Sequence, residues 1–259
     1  MSNRLICGRL DELRVFYPTG EEITLADLPS GTASVVARRA TGEAVEAALA
    51  GAGAGVVAHL SGLAPGTWEV AAFDGTGARL AEELTTVSAH QGERPVHGFA
   101  TSFGDDDVEA VLSWNAALRS TVVQVYDWME RYTAPDGSDA GWVEPNGRPV
   151  SFRALRALAE GLRANGAVAH AYAPVYAVGH DYAKEHPEQL MYDADGAPVL
   201  FMDQIVLAEP GNPQWQRHFV TAYGAASDRI GFGGFHVDTY GYPRLAYDAD
   251  GRRLEVRSA

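Results

Sequence analysis

Aromatic residues are grouped at three points in this chain, and at two of these points a carboxylate stands beside them. These points are Tyr126-Asp127-Trp128, the stretch from Tyr172 to Tyr176, and Asp238-Thr239-Tyr240. An aromatic ring can stack on the apolar C–H face of a sugar, while a carboxylate accepts hydrogen bonds from the sugar hydroxyls. The three groups therefore indicate a site that handles carbohydrate.

Each group also has a structural interpretation. Aspartate is common where a turn begins, so Asp127 and Asp238 could cap the turns that follow them. Large aromatic residues are often buried, so Tyr126, Trp128 and Tyr176 could serve packing instead of binding. The functional interpretation depends on whether the three groups meet in space.

The elements around these residues predict such a meeting. From about residue 97, strands near 98–103, 121–126, 167–172 and 233–238 alternate with helical patterns, which predicts a β/α series with parallel strands. In a β/α barrel, function lies at the carboxyl ends of the strands, and each of the three groups follows a strand. Side chains alternate along a strand, so His236 should lie on the same side as Asp238.

The first 95 or so residues have a different sequence pattern. Short β-rich runs near 13–17, 33–37, 55–60 and 67–73 are separated by Pro and Gly turns, which predicts an immunoglobulin-like β-sandwich. The Ala- and Gly-rich stretch at 41–54 is predicted to be a short helix or a loose loop.

Composition excludes several classes of function. The chain has 259 residues, and 20 Lys and Arg against 34 Asp and Glu give a net charge of −14, which argues against nucleic acid as a partner. Cys7 is the single cysteine, so an internal disulfide and a cysteine-cluster metal site are excluded. No apolar run is long enough to cross a membrane, and no export signal is visible, which leaves the location open.

We expect no cofactor and no metal site. Two Tyr-Asp-Ala-Asp-Gly stretches, at 192–196 and 247–251, read as β-turns of similar chemistry. Calcium at their aspartates stays an open question, because two acids fall far short of the ligand set of an EF-hand loop.

Four stretches together resemble glycoside hydrolase family 66, which contains dextranases and cycloisomaltooligosaccharide glucanotransferases. They are Val123–Tyr132, Gly141–Arg148, Ala171–Ala177 and Phe232–Gly241. The resemblance implies a retaining mechanism on α-1,6-glucan, with Asp238 as the nucleophile and Asp127 at the first sugar subsite. Together with the aromatic pattern, it makes the following residues candidate substrate contacts: Tyr126, Asp127, Trp128, Tyr172, Tyr176, His236 and Tyr240.

The resemblance also implies that part of the machinery is absent. A barrel needs eight strands, and only four are predicted here, so we expect a sandwich at 1–94 and the first half of a (β/α)8 barrel at 95–259. The family's acid/base glutamate lies on a later strand, and Glu255 does not match it. We therefore expect a fragment that is inactive alone, self-associates through its open edges, and has the missing C-terminal half of the barrel as a partner.

Other functions stay open at this point. The chain could be a non-catalytic glucan-binding module, a fragment of a cyclising glucanotransferase, or a product without function. Glucan release, glucan binding without turnover, or neither would distinguish these alternatives.

Overall fold

The structure, a computed structural model, describes residues 10, 13–51, 55–90, 93, 95–238, 243 and 245–254. Backbone contacts divide the chain into two compact units. The first unit is made of Met1–Gly98, Ala110–Val123 and Gly161–Val168, and the second of Phe99–Glu109, Gln124–Glu160 and Ala169–Ala259. The expected boundary between 94 and 95 stays a prediction.

Two β-sheets form most of the first unit. A five-stranded sheet has the order β1-β8-β7-β3-β4 and a three-stranded sheet the order β2-β6-β5. The strands are β1 (Phe16–Pro18), β2 (Ile23–Leu25), β3 (Ser34–Arg38), β4 (Ala44–Glu46), β5 (Ala48–Ala50), β6 (Val57–Leu60), β7 (Gly66–Phe73) and β8 (Arg79–Ser88). Both sheets contribute to one buried apolar cluster, which includes Ile23, Leu60, Val35, Trp68 and Val70.

The structure corrects two expectations for this region. The stretch predicted to be a helix or a loop contains β4 and β5. The strand β8, which the sequence pattern missed, pairs along nearly its whole length with β7 and in parallel with β1.

A β/α series follows. Its strands are β9 (His97–Ala100), β10 (Val122–Val125), β13 (Val168–Ala173) and β17 (Gly234–Val237), and its helices are α1 (Val108–Ala117), α2 (Phe152–Ala164), α3 (His180–Glu185) and α4 (Pro213–Ile230). These strands form one sheet in the order β17-β13-β10-β9, so each strand lies beside its neighbour in the series. β13 and β17 are parallel, as predicted.

Helix ends explain how the chain enters and leaves this series. Asn212 precedes α4, and its side-chain oxygen accepts hydrogen bonds from the backbone N–H groups of Gln214 and Trp215. Gly231 ends α4 at a φ of 94°, a left-handed conformation that glycine adopts without steric cost. The apolar face expected for α4 is buried at Trp215 and Tyr223. The end of α4 at Gly231 sets where β17 begins.

Small antiparallel β-sheets also occur in the loops of the series. They are formed by β11 (Trp142–Val143) with β12 (Pro149–Val150), by β14 (Ala177–Val178), β15 (Leu200–Phe201) and β16 (Ile205–Leu207) in one sheet, and by β18 (Ala246–Tyr247) with β19 (Arg253–Leu254). The β11–β12 hairpin lies inside the long loop that follows β10. It brings ordered polar residues to the carboxyl end of that strand.

Candidate active site

Asp238 is the residue that directly follows β17. Its backbone N–H donates to the carbonyl of Ala173 at 3.1 Å, which continues the pairing with β13. Its carboxylate oxygen Oδ2 accepts hydrogen bonds from the hydroxyls of Tyr172 at 2.8 Å and Tyr176 at 2.6 Å. Two predicted substrate contacts therefore hold the predicted nucleophile in one orientation.

The two phenols that hold Asp238 are themselves protected from ionisation. Burial and the hydrogen bond to Tyr126, followed by the hydrogen bond to Asp238, raise the pKa of Tyr172 far above its ordinary value. Burial and the bond to Asp238 also raise the pKa of Tyr176 far above its ordinary value. Both hydroxyls consequently remain protonated donors throughout the range in which enzymes work.

Tyr126 supplies an accessible aromatic surface beside these phenols. Its ring centroid lies 4.1 Å from that of Tyr172, with the planes tilted by 43°. Tyr126 is 38% exposed, whereas Tyr172 is buried. The two rings are in contact, and the ring of Tyr126 is open to solvent. An exposed aromatic ring of this kind can stack on the apolar face of a sugar.

Trp128 does not belong to this surface, contrary to expectation. It is 1% exposed, and its indole N–H donates to the carbonyl of Tyr172 at 2.9 Å. Its ring packs edge-on against Tyr223 and Phe232. Trp128 therefore supports the backbone that carries Tyr172 from within the core and cannot contact a ligand there.

Asp127 lies at the end of β10 and is paired with an arginine from the β11–β12 hairpin. A terminal nitrogen of Arg148 donates to Asp127 Oδ2, and Nε of the same side chain donates to Glu144 Oε1 at 2.9 Å. The remaining nitrogen donates to the hydroxyl of Ser102 at 2.9 Å. One guanidinium thus joins the loop after β9 to two separate parts of the loop after β10.

The two carboxylates that flank Arg148 have opposite pKa shifts. Burial raises the pKa of Asp127, and the hydrogen bond from Arg148 reduces that rise without cancelling it. Burial also acts upward on Glu144, but hydrogen bonds from the backbone of Asn146 and from Arg148 outweigh it and leave the pKa of Glu144 below its usual value. The lowered pKa favours the anionic form of Glu144. The charge of Asp127 depends on the balance between its burial and the hydrogen bond from Arg148.

The other predicted site residues are placed as follows. His236 is partly exposed, and in the register of the parallel pair it is the partner of Tyr172. Tyr240 lies outside the described residues. Glu144 and Arg148 carried no predicted role. Their spacing of four is a weak signal, and their link to Asp127 becomes visible only in three dimensions.

The two Tyr-Asp-Ala-Asp-Gly stretches are turns, as predicted. Asp193 accepts hydrogen bonds from the backbone N–H groups of Asp195 and Ala197, and Asp248 does the same for Asp250 and Arg252. In the described part of the chain, no three His, Cys, Asp or Glu side chains are grouped to hold a metal ion. The helices described include none that is long and apolar enough to span a membrane.

Comparison with known proteins adds three findings. The family model for glycosyl hydrolase family 66 matches residues 68–259. A cycloisomaltooligosaccharide glucanotransferase of Niallia circulans is 28% identical over 194 residues, which are 66% of this chain and 19% of that protein. A crystal structure of a Paenibacillus sp. cycloisomaltooligosaccharide glucanotransferase with cycloisomaltoheptaose superposes with a TM-score of 0.72 at 20% identity, over 96% of this chain and 41% of that one.

These coverages differ in what they establish. The superposition shows that the chain has the fold of the corresponding part of the Paenibacillus enzyme. The chain spans about a fifth of the length of the curated relative and about two fifths of the superposed structure. The coverage therefore does not assign the activity of the whole relatives to this chain.

Proposed function

Because this chain belongs to glycosyl hydrolase family 66, we propose that it carries the nucleophile and the first sugar site of a retaining enzyme that acts on α-1,6-glucan. The observation that carries the proposal is the carboxylate of Asp238, held by two protonated phenols at the carboxyl end of a parallel strand. The names of the two similar glucanotransferases and the bound cycloisomaltoheptaose support the substrate class.

The arrangement around Asp238 suits a covalent step. In a retaining mechanism a carboxylate attacks the anomeric carbon and the bond to the leaving oxygen breaks. Tyr172 and Tyr176 orient this carboxylate through Oδ2, and we assign the attack to the carboxylate of Asp238. The glycosyl group then passes from Asp238 to water in a hydrolase, or to a hydroxyl of another sugar in a glucanotransferase.

The ring of Tyr126 and the carboxylate of Asp127 supply the binding part of the proposal. Tyr126 offers its exposed face to the sugar ring, and Asp127 accepts hydrogen bonds from sugar hydroxyls. His236 and Tyr240 are proposed as further contacts on the rim. The substrate is a linear glucan or an isomaltooligosaccharide, and no cofactor takes part.

The proposal includes an architecture. We infer an immunoglobulin-like sandwich at 1–94 and the first four units of a (β/α)8 barrel at 95–259. The consecutive strand order supports this inference, because barrel strands follow one another around the axis. An apolar groove lined by Phe219, Val220, Phe235 and Val237 supports it too, because a further β/α unit would pack there.

The proton donor is not among the residues that we assign. A retaining glycosidase needs a second carboxyl group about 5–5.5 Å from the nucleophile, and Glu255 does not match the glutamate to which the family resemblance assigns that role. We therefore propose that the isolated chain binds glucan but does not hydrolyse it. A glucan-binding module is the second candidate function, and the exposed ring of Tyr126 next to Asp127 favours it.

The test uses a substrate that needs no proton donor. Isomaltosyl fluoride loses fluoride with its bonding electrons while an Asp238 oxygen forms an ester to the anomeric carbon. We expect mass spectrometry of the chain to show one isomaltosyl adduct on the peptide that contains Asp238. The Asp238→Asn variant should show none, and Asp250→Asn, which changes an exposed turn, should label like the unmodified chain.

Three results would contradict the proposal. An adduct that persists in Asp238→Asn would move the nucleophile elsewhere. Binding of isomaltotriose with no adduct in any variant would leave only the binding module. Release of glucose from isomaltotriose by the isolated chain would show that the proton donor is present after all.

A further inference from the structure

Arg148 makes contacts that an ordinary surface ion pair does not make. Each of its three guanidinium nitrogens donates to a different side chain: Nε to Glu144, one terminal nitrogen to Ser102 and the other to Asp127. Ser102 follows β9 and Asp127 follows β10. A planar group with fixed donor directions can hold three acceptors at once, which a lysine ammonium cannot do with the same geometry.

The backbone at two of these contacts is in an unfavourable conformation. Ser102 has a φ of 54° and Asp127 a φ of 49°, the left-handed region that residues with a Cβ atom rarely adopt. Such conformations persist where surrounding contacts hold them, and they concentrate at functional sites. Arg148 bonds to the side chains of both residues, so it is placed to supply that restraint.

Glu144 fixes Arg148 in turn. The Glu144 side chain is 1% exposed and accepts four hydrogen bonds, from the backbone and side-chain nitrogens of Asn146 and from N and Nε of Arg148. The turn of the β11–β12 hairpin is thus built around one buried carboxylate. The guanidinium leaves this turn in a defined direction, towards Asp127.

We propose that Arg148 is a positioning residue for the first sugar subsite, which acts by holding Ser102 and Asp127 in their left-handed conformations. The proposal rests on the sugar-binding role of Asp127 given above. It assigns no contact between Arg148 and the reacting atoms. Its consequence is that sugar affinity depends on a residue that belongs to the hairpin.

The charge of Asp127 gives a readout that separates this role from simple stabilisation. The charged and titratable groups that face Asp127 are Arg148, Glu144 and Tyr132. Burial raises the pKa of Asp127 and Arg148 opposes the rise. Without the guanidinium, Asp127 should take up its proton at a higher pH, and sugar binding should fail at that higher pH.

The experiment is isothermal titration of the chain with isomaltotriose between about pH 4 and pH 8. We expect Arg148→Gln to weaken binding about tenfold at neutral pH and to move the acidic loss of binding upward by about one pH unit. Arg148→Lys should weaken binding to an intermediate extent, because the positive charge remains but the geometry that holds three acceptors does not. Asp127→Asn should remove this pH dependence.

The matched control is Arg153→Gln. Arg153 is also paired with an aspartate, at 2.6 Å to Asp105, but it is 79% exposed and spans no left-handed residue. Its replacement should leave both affinity and pH profile unchanged. Unfolding curves for every variant establish that the binding measurements refer to folded protein.

The outcomes separate the two proposals. If the unmodified chain does not bind isomaltotriose, the proposed function fails and this inference falls with it. If the unmodified chain binds and Arg148→Gln keeps the same affinity and pH profile, the inference alone is wrong. If Arg148→Gln does not fold, Arg148→Lys decides: affinity equal to that of the unmodified chain overturns the positioning role.

Discussion

At the scale of single residues, one left-handed aspartate decides which aromatic side chains reach the site. β10 ends at Val125, and Asp127 has a φ of 49°. Alternation along an extended strand would place Tyr126 and Trp128 on the same face. Because the chain turns at Asp127, Tyr126 is exposed while Trp128 enters the core. The sequence shows that the two aromatic residues flank Asp127 but could not show this turn.

The buried carboxylate of Glu144 gives a prediction about acid stability. Its pKa is held below the usual value because hydrogen bonds to Asn146 and Arg148 outweigh burial. A lowered pKa stabilises the fold above the range in which glutamate ordinarily titrates, and this stabilisation is lost as pH falls through the lowered pKa. We expect Glu144→Gln to unfold more easily at neutral pH and to lose less stability on acidification than the unmodified chain.

Urea unfolding at several pH values between about 3 and 7 measures this difference. Glu160→Gln is the control, because Glu160 is exposed and pairs with Arg156 on the surface of α2. That variant should follow the pH dependence of the unmodified chain. Parallel stability curves for Glu144→Gln and the unmodified chain would show that Glu144 is not the group concerned.

At the scale of elements, the sequence predicted helices from their capping residues and buried apolar stripes. It did not predict strands that carry polar side chains. Asn212-Pro213 predicted the start of α4, and Asn165-Gly166 the end of α2. β8 escaped prediction because its middle carries two charged residues in succession, Glu82 and Glu83, which interrupt the apolar alternation. The stretch containing β4 and β5 is rich in Ala and Gly, whose weak strand preference conceals pairing that neighbouring strands impose.

Gly166 at the end of α2 gives a prediction about an element boundary. Its φ is 79°, and a Cβ atom there would lie 2.4 Å from the carbonyl oxygen of Phe16. We expect Gly166→Ala to lower the free energy of unfolding by about 2 kcal/mol, since strain and steric conflict add. Gly20→Ala, at a φ of 88° with no atom within 4 Å, should cost about 1 kcal/mol from the backbone alone.

Denaturant unfolding of both glycine variants checks this comparison. The informative quantity is the difference between Gly166→Ala and Gly20→Ala, because both carry the same backbone penalty. Equal losses would mean that the backbone of Phe16 moves aside at no measurable cost.

At the scale of the whole molecule, the β/α series ends in a sheet edge with an apolar face. β17 lies at one end of the four-stranded sheet, and Phe235 and Val237 on it are exposed. Edge strands with apolar side chains favour pairing with another chain. The count of four units was predictable from the alternation of strands and helices. How the units combine depends on contacts between distant segments, which local sequence patterns do not record.

We therefore expect the isolated chain to self-associate and Val237→Lys to weaken that association at least several-fold, because a charged side chain on an edge opposes strand pairing. Sedimentation velocity over a range of concentrations measures the effect. Val143→Lys is the control, since Val143 and Val237 are both 59% exposed but Val143 lies in the β11–β12 hairpin. A chain that stays monomeric at every concentration would contradict the expectation.

The pairing of the two repeated turns bears on the order of folding. Tyr192 and Tyr247 exchange two backbone hydrogen bonds of 2.9 Å, although α4 and β17 lie between them in sequence. Each turn is local and can form within microseconds, whereas their union must wait until the long intervening segment has compacted. We therefore expect the tyrosine pair to form late in folding, after the two turns that it joins.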